Sequence, residues 1–294
     1  MSEQAAGNIP LSQADEITVY SIRDPDHPEI EVSQAKHRIR LINSWGIQPG
    51  SRLLEIGCGQ GTCTAVLAEA VGPSGHVDAV DPAPLDYGAP FTLGQAQEFL
   101  SSGPVGSRIW WHRAYPTEFL AGTEGTWDAA VLLHCIWYFK EPKVLEDMLN
   151  ALKGRVKRVY VAEYALHATE KTAVPHVLAA ITRAGLEAHV AESEQNIRSA
   201  PSPTAIKEIG AKVGWSLERE NIIVPEEGLL DGSWETGGVA YPGFLNEIDE
   251  AIKDPRVALS LKSGRDAVIA AAEGVGGVKK VTTMDVWAGV LVAP

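Results

Sequence analysis

The sequence predicts an α/β fold built on a doubly wound, mainly parallel sheet of seven strands. Up to Tyr164, short apolar segments alternate with helical segments of about ten residues, which is the pattern of a sheet covered by helices on both faces. The first apolar segment ends in three closely spaced glycines that open a helix. Two late apolar segments bring the number of predicted strands to seven.

The elements up to Tyr164 follow one another regularly. The first helix is predicted to start with Ser33 as its N-cap and to end at Gly46, with apolar residues at helical spacing between them. The strand SRLLEIG follows, then the glycines and a helix that the Gly72-Pro73 pair ends. The next strands are predicted, in chain order, at HVDAVDP, SRIWWH, WDAAVLLH and RVKRVYVAEY.

Beyond Tyr164 the alternation loosens. TAIKEIGAKV is a predicted helix, and SLERENIIV and MDVWAGVLV are the two late strands. The segments at about 166–200 and 225–283 are too long for simple loops, so we predict that they form helical cap insertions. Residues 1–32 are polar and contain prolines, and we predict an N-terminal arm or lid there, with residues 33–294 forming the main domain.

Composition restricts the partners and the compartment. The 294-residue chain carries a net charge of −13 and no basic run, which argues against a nucleic-acid partner. The chain has three cysteines, Cys58, Cys63 and Cys135, and this odd number lacks the spacing of a zinc site. Such cysteine usage favours a reducing compartment. No apolar run approaches the thickness of a bilayer, so no membrane partner is expected. These observations predict a soluble, cytoplasmic protein that acts on a small molecule.

The segment LLEIGCGQGTCT suggests a ligand site at the end of the first strand. Gly57, Gly59 and Gly61 leave backbone N–H groups unshielded beside a helix N-terminus, which suits a nucleotide-like ligand. The dinucleotide pattern GxGxxG loses its third glycine here because Thr62 follows Gly61. The alternative is a turn that merely links a strand to a helix.

Two carboxylates strengthen the ligand hypothesis. Glu55 lies two residues before Gly57, where it could meet a cationic or amino group of a ligand. Asp81 closes the second strand 20 residues after Gly61, about where a nucleotide-binding fold places an acid against ribose hydroxyls. Either acid alone could be a solvated strand end, whereas together with the glycines they form a connected site.

The segment LLEIGCGQGTCTAVLAEAVGPSGHVDAVDP resembles the first two motifs of the class I S-adenosylmethionine-dependent methyltransferases that act on small molecules. WDAAVLLHCIWYFKEP is similar to their fourth-strand motif, and the resemblance runs from about Ser51 to Tyr164. It implies the Rossmann-like methyltransferase fold, S-adenosyl-L-methionine as cofactor, and methyl transfer as the activity.

The resemblance also implies roles for residues of the first strands. The glycine turn, with Gly57, Cys58 and Gly59, would pack against the methionine half of the cofactor, Asp81 would bind the ribose, and Pro82 would lie beside the adenine. The family often has an Asp after the third strand, which contacts the adenine amine. This chain reads WHRAYP there, so the backbone of Ala114 and stacking on Tyr115 are the expected substitutes.

His134 is the candidate general base, because it follows the fourth strand at the edge of the sheet where ligands collect. A base would be needed for a hydroxyl acceptor, and the alternative is a packed or merely hydrogen-bonded histidine. Trp137 and Tyr138 follow at once and could line an aromatic pocket or belong to the core. The weaker candidates for the base are His112, His167 and His176.

Absent motifs exclude two subclasses. No Asn/Asp-Pro-Pro-Tyr/Phe sequence follows the fourth strand, which removes enzymes that methylate the amino groups of bases and glutamine. The segment LLHCIWYF offers no carboxylate for a metal-dependent catechol-type site, so no metal is expected.

The second cap insertion carries the candidates for substrate recognition. Trp234, Tyr241 and Phe244 suggest an apolar, aromatic lining for a hydrophobic small molecule, such as a secondary metabolite. The alternative is that the insertions pad the core or form the contact of a homodimer.

Three functions stay open at this point. The first is O- or N-methylation of a hydrophobic small molecule. The second is a fold of the same kind whose bound S-adenosylmethionine is structural, while the pocket catalyses a rearrangement or cyclisation. The third is an interaction module that binds no cofactor, against which the intact Glu55, glycine turn and Asp81 argue.

Overall fold

A computed structural model of the chain describes residues 8–23 and 26–293. Its single sheet has the order β3-β2-β1-β4-β5-β7-β6. All neighbouring strands are parallel except where β7 runs antiparallel to both β5 and β6. The strands are β1 Arg52–Ile56, β2 His76–Asp81, β3 Ile109–Arg113, β4 Trp127–Leu133, β5 Val156–Tyr164, β6 Ser216–Ile223 and β7 Val286–Val292. The predicted seven-stranded, doubly wound sheet is confirmed.

Helices cover both faces of the sheet. They are α1 Ala14–Thr18, α2 Pro28–Trp45, α3 Thr62–Val71, α4 Leu93–Ser101, α5 Pro116–Ala121, α6 Pro142–Ala151, α7 Val174–Glu187, α8 Pro203–Lys212, α9 Asp231–Ala240, α10 Gly243–Ala251 and α11 Pro255–Gly274. The predicted start of the first long helix is wrong, because α2 begins at Pro28 and Ser33 lies inside it. Proline at the first helical position and acidic residues in the first turn both favour this earlier start.

The core lies on the two faces of the sheet, and side chains of each strand alternate between them. Leu53 belongs to the layer that packs under α2 and α3, whereas its neighbour Leu54 belongs to the layer under α6 and α8. The β1 strand is buried along almost its whole length, as expected for an interior parallel strand. The β6 strand is exposed and charged, which suits an edge strand.

The two predicted insertions contain the helices of a cap. The helix α7 lies in the first insertion, and α9, α10 and α11 lie in the second. The four helices pack on one another around a separate hydrophobic cluster that includes Phe244 and Val268. The predicted helical cap insertions are therefore present. Residues 1–7, 24 and 25 of the predicted arm lie outside the described residues, and the predicted boundary at residue 32 falls within α2.

The topology brings the ends of β1 and β4 together. Because β1 lies between β2 and β4, its carboxyl end opens on the crevice where ligands of doubly wound sheets bind. A Cβ atom placed on Gly57 would lie only 2.6 Å from the Cβ of Cys135, in the loop after β4. The glycine turn and the loop that carries His134 are therefore in direct contact. Within the described part of the chain, no helix is long and apolar enough to span a membrane.

Candidate active site

The three glycines of the turn have different physical roles. All have a left-handed backbone, with φ of 76° at Gly57, 51° at Gly59 and 88° at Gly61. A Cβ at Gly57 would meet Cys135, and one at Gly61 would lie 2.6 Å from the Trp111 ring. A Cβ at Gly59 would meet no atom of the described residues within 4 Å. Gly57 and Gly61 therefore serve packing, while Gly59 leaves bare backbone beside open space.

The Asp81 carboxylate is held beside Gly59 by backbone N–H groups. Its Oδ2 accepts a hydrogen bond from the Gly59 N–H at 2.9 Å, and its Oδ1 accepts one from the Ala83 N–H at 2.9 Å. Each oxygen keeps a lone pair for a further donor. The carboxylate is thus oriented and still able to bind hydroxyl groups.

The predicted adenine neighbours lie close to Asp81 in the sheet. Pro82 directly follows it and is exposed, and the Ala114 N–H donates to the Asp81 carbonyl at 3.3 Å. Tyr115 follows with a largely exposed ring. The structure therefore brings these three residues to one edge, beside the glycine turn.

Glu55 lies beneath the glycine turn and is buried. Its Oε2 accepts a hydrogen bond from the Thr64 hydroxyl at 2.6 Å, which ties β1 to α3. Burial raises the pKa of Glu55 to about 7, although hydrogen bonds from Thr64 and Cys63 oppose the shift. Burial likewise raises the pKa of the Cys58 thiol well above its usual value, so Cys58 is a neutral packing residue.

Arg38 of α2 is a site residue that sequence reasoning missed. Its positive charge is close enough to oppose the rise in the pKa of Glu55. Its Nη1 donates to the Gln34 carbonyl and side chain, but its Nε is buried without a hydrogen-bond partner among the described residues. A buried guanidinium N–H without an acceptor is costly, so this position suits an anionic ligand group. The sequence held no signal for it beyond its place on a predicted helix.

His134 stands at the centre of a chain of side chains. Its backbone is left-handed, with φ of 51°, and its N–H donates to the Ala162 carbonyl at 2.9 Å. Its Nδ1 lies 3.4 Å from Oε1 of Glu163, and its Nε2 lies 3.1 Å from Nε2 of His37. The planes of the His37 and His134 rings are inclined by only 26°, with centroids 5.4 Å apart, so the rings meet edge to edge through the two Nε2 atoms. The predicted base is therefore flanked by two groups, one at each ring nitrogen.

Glu163 and His37 are site residues that the sequence patterns do not indicate. Glu163 is buried in β5, and its oxygens accept N–H groups of Tyr164 at 3.1 Å and Ile136 at 3.0 Å. These bonds hold the loop after β4 and aim one carboxylate oxygen at His134. His37 comes from α2, 97 residues before His134, and no sequence pattern links the two.

Tyr164 joins His134 to the cap. Its buried ring lies 4.5 Å from the His134 ring, 5.2 Å from Trp137 and 5.2 Å from His176, measured between centroids. Burial raises the pKa of Tyr164 well above its usual value, and the nearby charge of Asp231 adds to the shift. Tyr164 is thus a neutral aromatic side chain that borders the site beside His134.

The other predicted histidines have partners of their own. The Nδ1 of His176 accepts the Met284 N–H at 3.0 Å, so its hydrogen is on Nε2, which donates to Glu235 at 2.7 Å. His112 pairs with Asp78 at 2.8 Å, and His167 pairs with Asp285 at 2.6 Å. These three histidines are bound to carboxylates other than Glu163, and His134 stays the candidate base.

The predicted substrate residues are distributed unevenly. Trp137 is buried against Tyr164. The side chains of Trp234 and Tyr241 are 52% and 67% exposed on the cap. Phe244 departs from the expectation, because it is fully buried inside the cap, where the Arg183 guanidinium lies 4.5 Å from its ring centroid. Its ring fills the cap core and lines no open surface.

Tyr138, the remaining predicted substrate residue, is partly exposed beside several acidic groups. Burial raises its pKa, and the charge of Glu235 is the next largest cause. Its phenol is therefore neutral over the physiological range. Among the described residues, no group of three or more His, Cys, Asp or Glu side chains is arranged to hold a metal ion.

Several known proteins are similar to this chain over most of its length. A family model described as a methyltransferase domain matches residues 31–220. The chain is 31% identical over 280 residues to methyltransferase phomM' of Diaporthe leptostromiformis, and the match covers 80% of this chain and 71% of that relative.

Solved structures share the whole architecture. A cyclopropane-fatty-acyl-phospholipid synthase-like protein from Lactobacillus casei ATCC 334 superposes with a TM-score of 0.85 and 28% identity, covering 96% of this chain and 100% of that chain. The [4+2]-cyclase SpnF superposes with a TM-score of 0.52 and 13% identity, covering 89% of this chain and 82% of that chain. The second likeness is one of fold alone.

Proposed function

The chain belongs to the class I S-adenosylmethionine-dependent methyltransferase family, and from that premise we propose that it methylates an oxygen or nitrogen atom of a hydrophobic small molecule. The proposed methyl donor is S-adenosyl-L-methionine. The observation that carries the proposal is the pairing of Gly59 with Asp81, which places bare backbone and an oriented carboxylate beside open space. This pairing lies next to the loop that holds His134.

The residues present fit this cofactor. The space beside Gly59 would take the methionine half against bare backbone, and the free lone pairs of Asp81 would accept the ribose hydroxyls. The buried Nε of Arg38, which lacks an acceptor among the described residues, would bind the carboxylate of the amino-acid end. The Glu55 carboxyl, whose pKa is raised to about 7, would lie beneath the same end, and the adenine would lie along Pro82, Ala114 and Tyr115.

When bound, S-adenosylmethionine supplies a methyl group that its sulfonium has already activated. The chain's own residues therefore have two tasks, to align the acceptor and to take its proton. Glu163 accepts from Nδ1 of His134, which leaves Nε2 as the basic atom. A proton leaving a hydroxyl or an ammonium group of the acceptor would go to this nitrogen.

The acceptor would lie between the sheet and the cap. Tyr164, with Trp137 packed behind it, forms a rigid aromatic wall next to His134. Tyr138, Trp234 and Tyr241 present aromatic surface toward solvent, which supports a hydrophobic acceptor such as a secondary metabolite. Phe244 is left out of this surface because of its burial in the cap.

Calorimetric titration with S-adenosylhomocysteine tests the cofactor assignment directly. We expect the wild-type chain to bind it in the micromolar range or tighter, and absence of binding would overturn the proposal in favour of a cofactor-free module.

Incubation with S-adenosylmethionine and an acceptor panel, followed by mass spectrometry, tests the reaction. The panel should include phenols, aromatic amines and, given the name of the Lactobacillus casei protein, an unsaturated phospholipid. Release of S-adenosylhomocysteine with a methylated phenol or amine is the expected result. If the acceptor is rearranged or cyclised and no S-adenosylhomocysteine is released, methyl transfer is wrong and the alternative holds, in which the bound cofactor is structural.

A further inference from the structure

Both ring nitrogens of His134 are occupied in this structure. The nitrogen Nδ1 faces Oε1 of Glu163, an oxygen that already accepts the Tyr164 N–H and therefore acts as an acceptor. The hydrogen of a neutral His134 thus lies on Nδ1, and Nε2 carries the lone pair. That lone pair is the atom to which an acceptor's proton would pass, and His37 lies 3.1 Å from it.

The contacts of His37 decide which of the two histidines donates. Only 5% of His37 is exposed, and burial, followed by the charges of His134, Arg38 and Arg40, lowers its pKa well below the usual value. His37 is therefore neutral and has a single N–H. Its Nδ1 has no hydrogen-bond partner in the described part of the chain. With its hydrogen on Nε2, His37 donates a hydrogen bond to His134 and leaves only a lone pair on Nδ1 without a partner. With its hydrogen on Nδ1, two lone pairs would face each other between the rings, and the Nδ1–H would be buried without an acceptor.

We propose that His37 is a latch on the candidate base, a positioning residue whose Nε2–H occupies the lone pair of His134 until the ring turns away. The inference rests on the proposed function, in which His134 takes the acceptor's proton. One lone pair cannot bind the His37 hydrogen and the acceptor's proton together. Release of His37 must therefore precede proton transfer, in which the acceptor's O–H or N–H bond breaks and a new N–H bond forms at Nε2 of His134. The electron pair left on the acceptor atom is then free to attack the methyl group.

The other groups around the two rings do not replace this contact. Other charged and titratable side chains surround His134 and His37, some of them through Tyr164. They are Glu163 and Tyr164 of β5, Cys135 of the loop after β4, Arg38 and Arg40 of α2, His176 of α7, and Asp231 and Glu235 of α9. Among the described residues, His37 is the side chain within hydrogen-bond distance of Nε2 of His134.

The latch predicts how removal of His37 changes the binding of a proton at Nε2 of His134. A hydrogen bond donated to the Nε2 lone pair competes with protonation at that atom, so loss of the donor should make protonation of His134 easier. His37→Phe keeps an aromatic ring and removes the donor, whereas His37→Gln keeps an N–H donor. We expect the proton affinity of His134 to rise about 3- to 10-fold in His37→Phe and to stay within about twofold of wild type in His37→Gln. Because a more apolar neighbour would by itself lower the affinity, a rise can be assigned to the lost donor.

The experiment is an NMR titration of the imidazole nitrogens in the full chain without cofactor, with the His134 signal assigned by its loss in His134→Gln. Thermal melts check that the variants are folded. The rate at which diethyl pyrocarbonate modifies Nε2 of His134, followed by peptide mass spectrometry, should rise in His37→Phe and not in His37→Gln. An unchanged titration in His37→Phe, or equal shifts and rates in both variants, would overturn the latch.

These measurements need no methyl transfer, so they separate failure of the latch from failure of the proposed function. If the chain transfers methyl groups, the acid limb of the kcat/KM profile should also move to higher pH in His37→Phe and not in His37→Gln. An acid limb that stays in place in His37→Phe would count against the latch, even with methyl transfer intact.

Discussion

The two halves of the candidate site are held in different ways. On the cofactor side, Asp81 is fixed by two backbone N–H groups, that of Ala83 two residues further along the chain and that of Gly59 in the turn after β1. On the acceptor side, His134 is fixed by side chains of α2 and β5. A site made from backbone tolerates many neighbouring side chains, whereas a site made from side chains depends on each of them. Affinity for the cofactor and rate of turnover should therefore respond to different substitutions.

The largest effect that separates the halves is expected from His134→Ala. Loss of the base should lower turnover about 10²- to 10⁴-fold, because proton removal from the acceptor then has no assistance, and the remaining rate should rise with pH. Cofactor affinity, measured by calorimetry with S-adenosylhomocysteine, should not change. His112→Ala is the control, since His112 pairs with Asp78 away from Glu163. A near-wild-type rate across the pH range would show that His134 is a spectator.

The next effect concerns stability on the cofactor side. The pKa of Glu55 is raised to about 7 in the folded chain, above that of an unfolded glutamate. Its favourable contribution is therefore fully present below about pH 4.5 and is lost as the pH rises through 7, up to roughly 3 kcal/mol in all. Urea unfolding at pH 5 and pH 8 should show a larger fall in the wild type than in Glu55→Gln. Equal falls in the two proteins would mean that Glu55 titrates normally.

Asp81→Ala should weaken cofactor binding while turnover at saturating cofactor changes little. Loss of charge-assisted hydrogen bonds costs about 1.5–3 kcal/mol, or about 10- to 150-fold in Kd. Asp86→Ala, in the exposed segment that follows, is the matched control. Calorimetry with S-adenosylhomocysteine measures both, and unchanged affinity in Asp81→Ala would remove the ribose assignment.

The smallest effect is expected from Gly59→Val, which places a side chain in the open space beside the turn. We expect Kd for S-adenosylhomocysteine to rise about tenfold, since the valine intrudes on the cradle in a strained left-handed conformation. Gly154→Val is a control for strain, because Gly154 has φ of 72° and a Cβ added there would also meet no described atom within 4 Å. Both variants should melt at a lower temperature than the wild type, but only Gly59→Val should lose affinity for S-adenosylhomocysteine. Equal affinities in the two variants would mean that the cofactor does not occupy the open space beside Gly59.

The same contrast explains what the sequence could predict. The strand, the glycines and Asp81 lie within about thirty residues and follow local rules of backbone geometry, so their grouping could be inferred. His37 lies 97 residues before His134 and meets it only through the packing of α2 on the sheet, while Glu163 meets His134 through the pairing of β5 with β4. No spacing rule describes either contact. His134 could be proposed because it ends a strand, but its two partners could not.

Two other departures have local causes. The predicted start of α2 is too late, because a proline and acidic residues suit a polar arm as well as a first helical turn. The predicted lining role of Phe244 is wrong because aromatic residues serve both surfaces and cores. The deciding factor, the packing of α10 against α7 and α11, is tertiary.

The contact between Gly57 and Cys135 also bears on how the enzyme could be re-engineered. Because no side chain fits at position 57 without displacing the residue next to His134, changes to the glycine turn would be transmitted to the acceptor side. Directed evolution for new acceptors should therefore leave this junction untouched. Random substitutions are better introduced at Trp234 and Tyr241, because their side chains are exposed and can be replaced without disturbing the packing of the sheet.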